Sequence, residues 1–246
     1  MEEKELTRRV RDYWTERTPD FSIIRHNELK DEISRRWLQE MNVHLPKHAP
    51  LDILDVGTGT GYFAILLARA GHRVTGIDLT PSMIEEAKST AQEQDVQVRF
   101  LPGDAQNTAF PDASFDAVVT RNLTWTLTDL EQAYREWHRL LKPGGILLNF
   151  DANYADNVRN NNQKASRVKP EDVYGHIGIT PELSRENAEI TLSMPASRHK
   201  RPEWDKTLAG RAGFASCGAD PDAGQRILRE KDLSDAPLFL FWAKKG

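Results

Sequence analysis

Leu51–Gly71, LDILDVGTGTGYFAILLARAG, decides the fold: an apolar run ends in an aspartate, glycines alternate at 57, 59 and 61, and an apolar helical pattern follows. A glycine-rich turn between strand and helix is the ligand-binding arrangement of open α/β sheets, because it lets backbone approach a small molecule closely. The spacing departs from the dinucleotide fingerprint G-x-G-x-x-G, whose third small residue is here Tyr62. Asp55, two residues before the first glycine, puts a carboxylate at the strand end, where it repels a pyrophosphate and receives an ammonium group, directly or through water. Asp78 closes the next apolar run, HRVTGID, at the position where a carboxylate accepts from ribose hydroxyls. The pair suits a ligand with a ribose and a cation better than one with phosphates.

Outward from this turn, short apolar strands alternate with helical patterns, the sign of βαβ units and a parallel sheet. LDILDV, HRVTGID, VQVRFL, FDAVVTR and GILLNFD read as five strands, with FASCGAD and PLFLFWAKK as two more. Between them lie YFAILLARAG, stopped by Gly71, and TPSMIEEAKSTAQEQ, with Thr80 as cap and Pro81 at the first helical position. TDLEQAYREWHRLL carries a capping box, Thr128 with Glu131, and is broken by KPGG. Upstream, Leu6/Val10/Trp14 and Leu29/Ile33/Trp37/Met41 mark two helices. Residues 152–201 are polar, asparagine-rich and without a clean period, and read as an insertion or lid. The expected architecture is a Rossmann-like, doubly wound, mostly parallel seven-stranded α/β sheet. Residues 1–50 form an N-terminal helical cap, residues 51–246 the core, and the insertion after strand five lines the substrate pocket.

At 246 residues, 39% hydrophobic and 28% charged, the chain supports one sizeable core with an appendage. A net charge of −4 and a pI near 6.0 give no global field for a polyanion, so nucleic acid is not expected as a partner. The single cysteine, Cys217, cannot form an internal disulfide, and MEEKELTRRV lacks the basic head and apolar core of a signal sequence. Those two features give the expectation of a cytoplasmic protein, and since no run approaches the roughly 20 apolar residues of a membrane span it is expected to be soluble.

LDVGTGTGYFA, GIDLTPSMIEEA, GDAQNTAFPDASFDAVV and LKPGG, in this order, give a resemblance to the class I S-adenosylmethionine-dependent methyltransferases. It is close over residues 51–150, and nearest to the small-molecule enzymes of ubiquinone and menaquinone biosynthesis. The resemblance implies S-adenosylmethionine as cofactor and S-adenosylhomocysteine as product. It places Gly57, Thr58, Gly59 and Gly61 along the methionine part, with Asp55 near its amino group. It gives Asp78 the ribose hydroxyls, Leu79 and Met83 the adenine face, and Asp104 and Ala105 the adenine edge. Arg121 and Asn122 fall beside the methionine end or the substrate.

Methyl transfer from a sulfonium is an in-line displacement, so alignment and exclusion of water dominate, and a base is needed only for a protonated nucleophile. RNLTW, residues 121–125, lacks the Pro-Pro-aromatic run of enzymes that methylate DNA amines, and Cys217 lies far from a cytosine-methylating position. A metal-dependent catechol enzyme would carry an acid where Arg121 stands; Asp151 alone is no metal site, and Pro46 separates His44 from His48, so no metal is expected. The expected acceptor is a small molecule, with Trp14, Arg17, Asn122, Trp125, Asn153 and Tyr154 as candidate contacts. Tyr13, Asp151, His176 and His199 are the candidate catalytic residues, and the basic run SRHKRPEW either binds an anionic acceptor or is a solvated face. Two alternatives stand beside this reading. A non-catalytic cofactor-binding scaffold would be expected to lose the glycines and acids. An NAD-dependent oxidoreductase of the short-chain type would carry Tyr-x-x-x-Lys, whereas Tyr134 is followed by His138 and Tyr154 by Val158.

Overall fold

The structure, a computed structural model, describes residues 3–161, 178–229 and 237–246. Helices α1 (Glu3–Lys30) and α2 (Glu32–His44) precede β1 (Asp52–Val56), α3 (Tyr62–Arg69), β2 (Arg73–Asp78), α4 (Pro81–Glu93), β3 (Arg99–Pro102) and β4 (Phe115–Arg121). A 3-10 turn at Thr124–Thr126 leads to α5 (Leu130–Leu140), β5 (Leu141–Asp151), α6 (Tyr154–Asn161), α7 (Pro181–Ser193), α8 (Glu203–Ala212), β6 (Ser216–Asp220), α9 (Ala223–Leu228) and β7 (Phe239–Lys244). The sheet order is β3-β2-β1-β4-β5-β7-β6, with β7 antiparallel to both neighbours and the rest parallel. Strand order reverses between β1 and β4, so their carboxyl ends open the crevice in which such sheets bind ligands.

The central strands are buried on both faces, which is why they read as near-continuous apolar runs. Ile53, Ala117, Val119 and Leu148 pack toward Trp37 of α2 and Phe63 of α3, while Leu54, Val118 and Leu147 pack toward Tyr134 and Trp137 of α5 and Leu208 of α8. A third cluster joins Leu6, Val10 and Tyr13 of α1 to Trp125 and to Leu183 and Ile190 of α7. No helix among the described residues is long and apolar enough to cross a membrane.

Four local expectations are corrected. The two upstream stripes do not divide between two helices as read: α1 carries both Leu6/Val10/Trp14 and Leu29 and runs through Pro19 to Lys30, because packing on both sides of the proline outweighs the missing N–H. Asp129, not Thr128, caps α5, accepting from the Gln132 N–H at 2.9 Å, so the Thr128–Glu131 box does not form. Residues 142–145 belong to β5 as a bulge, the register jumping from Phe115↔Leu141 to Ala117↔Ile146. The insertion contributes α6 and α7, to which its sequence gave no period.

Candidate functional site

The turn after β1 holds Gly57, Gly59 and Gly61 at φ of 66°, 54° and 84°. Gly61 is required by packing, since a Cβ there would lie 2.9 Å from Phe100 Cζ and 3.1 Å from Ala87 Cβ; it does not line the cleft. Gly59 does, and the bare backbone at this point forms the floor of a cleft of about 1120 Å³, open solvent included. Gly57, Thr58, Leu79, Met83, Ala105 and Arg121, all expected at the cofactor, line the same cleft.

Two carboxylates hold the turn. Asp55 Oδ2 accepts from Thr58 Oγ1 at 2.6 Å and from the Ala64 N–H at 3.0 Å, leaving Oδ1 for a ligand. Burial pushes its carboxyl up to about 7, against the pull of those two donors. Asp78 splits its oxygens: Oδ2 accepts from the Gly59 N–H and Oδ1 from the Thr80 N–H, both at 2.9 Å, and burial raises its pKa. Asp104 Oδ1 accepts from the Gln106 N–H at 2.8 Å, leaving Oδ2 for the cleft.

The elevated Asp55 makes ligand binding pH-dependent. An ammonium group seated on Asp55 requires the carboxylate, so such a ligand is expected to bind about tenfold more weakly at pH 6 than at pH 8 in a calorimetric titration. Equal affinity at the two pH values contradicts the placement. The sign for the ligand-free fold is opposite to that of a salt-bridged aspartate. Because the folded value lies above the ordinary 3.8, protonation of Asp55 favours the fold as pH falls below 7, and that contribution is lost as pH rises through 7.

Helix α1 roofs the cleft. Thr7, Val10, Trp14, Phe21 and Arg25 line it, at spacings that keep them on one helix face. Phe21 lies over the glycine turn, 3.4 Å from where a Gly59 Cβ would stand. Polar contacts fasten the roof along its length: Thr128 Oγ1 donates to Glu3 at 3.1 Å, Arg9 to Glu186 of α7 at 2.6 Å and Ser22 Oγ to Glu86 of α4 at 2.5 Å. The hydroxyls of Thr18 and Ser82 meet at 2.9 Å. Near its end, Glu28 accepts from Arg25 at 2.6 Å and from Arg121 at 3.0 and 3.3 Å. Burial alone would raise Glu28, but the two guanidiniums outweigh it and hold the carboxyl below its usual value.

Of the candidate acceptor contacts, Trp14 and Asn122 line the cleft. Asn122 sits at φ 55°, rare for a side-chain-bearing residue, and its Oδ1 is buried without a partner among the described residues. Trp125, Asn153 and Tyr154 border a second cavity of about 220 Å³, open solvent included, next to Arg201. Trp125 connects the two, its indole N–H donating to the Asn122 carbonyl at 2.9 Å. Arg17 is buried beside Asp20 and Tyr13 packs edge-on against Trp14; neither lines a cavity.

The candidate bases fare differently. Asp151 is fully buried, bonded to Thr124 and to the Trp125 and Ala152 N–H groups and paired with Arg201 at 3.3 Å. It is thereby a structural partner rather than a base open to a substrate. His199 is exposed and stacks on Trp204 at 4.0 Å, outside both cavities, and His176 lies outside the described residues. In the run SRHKRPEW, Arg201 is neither solvated nor free for an anion: it pairs with Asp205 at 2.6 Å and with Asp151. Among the described residues no group of His, Cys, Asp and Glu is arranged to hold a metal; His44 stacks on Trp242 and His48 approaches Asp116.

Sequence reasoning missed Arg25, Glu28 and Arg201. The first two continue the Val10/Trp14/Phe21 stripe at helical spacing, a signal hidden by Pro19. Arg201 carried no such signal, because Thr124 and Asp151 are distant in the chain.

The family model described as Methyltransferase domain matches residues 54–149. The 27-O-demethylrifamycin SV methyltransferase of Amycolatopsis mediterranei is 30% identical over 191 residues, covering 72% of this chain and 68% of the relative. The demethylmenaquinone methyltransferase of Deinococcus radiodurans is 38% identical over 122 residues, covering 48% and 51% respectively, so the chain spans about half the length of such curated relatives. A phosphoethanolamine N-methyltransferase 2 of Haemonchus contortus, solved with phosphomonomethylethanolamine and S-adenosylhomocysteine, superposes with a TM-score of 0.67 at 18% identity, covering 96% of this chain and 59% of that one.

Proposed function

The chain belongs to the class I S-adenosylmethionine-dependent methyltransferases, and from that premise we propose that it transfers the cofactor's methyl group to a small-molecule acceptor in the cytoplasm. The observation that carries the reading is the pair Asp55 and Asp78 on either side of the cleft-lining Gly59 backbone, at the sheet's switch point and under a helical roof. The donor set fits the cofactor: a carboxylate oxygen is open at Asp55 for an ammonium, another at Asp104 for an amine, and no phosphate-binding glycine spacing is present.

When bound, S-adenosylmethionine supplies an electrophilic methyl group on a sulfonium. Asp55 takes the ammonium of the methionine end, and Asp78 accepts from the ribose hydroxyls with the lone pairs its two backbone bonds leave over. Leu79 and Met83 cover the adenine face, while Asp104 Oδ2 and the Ala105 backbone read its edge. Trp14 and Phe21 of α1 exclude water, which strengthens every polar contact beneath them. Asn122 Oδ1 accepts from an O–H or N–H of the acceptor and turns its lone pair toward the methyl group, a use that offsets the cost of leaving this atom buried and unpaired. Trp125, Asn153 and Tyr154 extend the acceptor wall. In this reading residues 1–50 are the cap and 51–246 the catalytic core.

The test is turnover. Incubated with S-adenosylmethionine and a panel of phenolic, carboxylic, amine and thiol metabolites, the protein is expected to form S-adenosylhomocysteine and one methylated product in equal amounts. Tight cofactor binding with no product from any class would favour the non-catalytic scaffold.

A further inference from the structure

The turn after β4 carries Asn122 into the cleft in a left-handed backbone conformation, φ 55°, that its surroundings must hold. Two bonds do so. The Asn122 N–H donates to the Phe150 carbonyl of β5 at 2.8 Å, and its carbonyl accepts from the Trp125 indole N–H at 2.9 Å. The first is a sheet-edge bond that any residue with an N–H could make; the second needs one particular side chain. The neighbouring carbonyl shows the contrast: Leu123 O is served by the turn itself, through the Thr126 N–H at 2.8 Å and Thr126 Oγ1 at 2.7 Å.

The indole that restrains Asn122 is placed by the cap. Its main chain is tied to β5, the Trp125 N–H donating to Asp151 Oδ2 at 3.1 Å. Its ring packs elsewhere, in one cluster with Leu6, Val10 and Tyr13 of α1 and Leu183, Ile190 and Met194 of α7, and 5.2 Å from the Tyr154 ring of α6. The residue is 8% exposed and borders the second cavity, not the cleft that holds Asn122. An indole offers a single directional donor at the edge of a rigid ring. A displacement of α1 or α7 therefore reaches one atom beside the cleft, the Asn122 carbonyl oxygen.

Resting on the reading above in which Asn122 contacts the acceptor, we propose that Trp125 is a positioning residue for methyl transfer: through the Asn122 carbonyl it sets the Asn122 side chain, and it makes that setting depend on how the cap helices pack on its ring. Without the indole N–H, φ 55° loses one of its two restraints, and the backbone relaxes toward the ordinary negative φ with the side chain carried out of line. A misplacement of about 1 Å at an aligning group can cost about 100-fold in rate. By this route α7, none of whose residues lines the cleft, acts on the reaction without supplying a group to it.

The experiment is a double-mutant cycle on turnover, using S-adenosylmethionine and the acceptor that the metabolite panel identifies, both at saturation. Trp125→Phe keeps an aromatic ring and removes the N–H. It is expected to lower kcat roughly 10- to 100-fold while S-adenosylhomocysteine affinity stays within about threefold of the wild type. Asn122→Ala is expected to lower kcat to a similar extent, and Trp125→Phe added to it to cost less than about threefold more, because the group that Trp125 positions is already gone. Thermal unfolding checks that each variant is folded. Should Trp125→Phe not fold, Leu183→Ala, which loosens the packing on the ring and leaves the N–H in place, is run through the same cycle, and the same loss of effect in the Asn122→Ala background is expected. Losses that multiply in the double variant would show that Trp125 acts only as packing, and would overturn the proposal. So would a kcat within twofold of the wild type in Trp125→Phe, or a fall in S-adenosylhomocysteine affinity as large as the fall in kcat. A wild type that methylates nothing in the panel contradicts the acceptor reading itself and removes this role of Trp125 with it.

Discussion

Asp78→Ala is expected to weaken S-adenosylhomocysteine binding by at least about 100-fold. One carboxylate performs two tasks. It accepts the backbone N–H groups of Gly59 and Thr80, fixing the glycine turn against the start of α4, and it offers its remaining lone pairs to a ribose. Charged hydrogen bonds contribute about 1.5–3 kcal/mol each when a buried partner is lost, so losing two or more easily reaches the roughly 2.7 kcal/mol of a 100-fold effect. Asp78→Asn keeps one acceptor and is expected to fall between the two proteins. Titration calorimetry reads the affinities. Affinity within threefold of the wild type in Asp78→Ala would remove Asp78 from the binding site.

Arg201→Met is expected to cost about 3–5 kcal/mol of stability, the range for removing one partner of a buried ion pair. Arg201 donates Nε and Nη2 to the two oxygens of Asp205, Nη2 also to Thr124 at 2.6 Å, and Nη1 to Asp151; Tyr134 completes the group by donating to Asp205 at 2.7 Å. Burial alone would lower the guanidinium pKa, but Asp205 and Asp151 raise it above the ordinary value, so the charge persists. Methionine fills the volume and leaves Asp205 uncompensated in a site of zero exposure. In a chain of this size each kcal/mol moves the midpoint by about 2–4 °C, so scanning calorimetry should show a fall of about 10 °C. A loss under about 1 kcal/mol would mean that the network is not what ties α8 to the turn after β4. Since that turn carries Asn122 and Leu123 into the cleft, the same variant is expected to disturb ligand binding as well.

The core of the fold was legible because its signals are local. β4 falls on FDAVVTR as read, and the glycine turn and the proline at the start of α4 follow from residue types that have few other uses; PLFLFWAKK reads as the last strand, but no local signal marks it as antiparallel to β5. Errors arose where a distant partner decided the matter. The bulge at residues 142–145 depends on pairing with β4, and α1 passes Pro19 because both halves of one stripe are buried against the cleft. The site divided the same way. Asp55, Asp78 and Asp104 stand at strand ends or just after them, where topology alone makes them ligand-facing. Arg25 and Glu28 became site residues only once Arg121, 93 residues from Glu28, was placed beside them. Arg201 lay in a run of charges that suggested a wet surface, and only the tertiary fold brings Asp151 to it across 50 residues.

The most direct measurement is a parallel calorimetric titration of the purified protein with S-adenosylmethionine, S-adenosylhomocysteine and NAD at pH 8. Micromolar binding of both sulfur nucleosides with no detectable heat from NAD is the expected result, matching the acid pair and the glycine spacing of the turn. Binding of NAD in preference to the sulfur nucleosides would contradict the central claim.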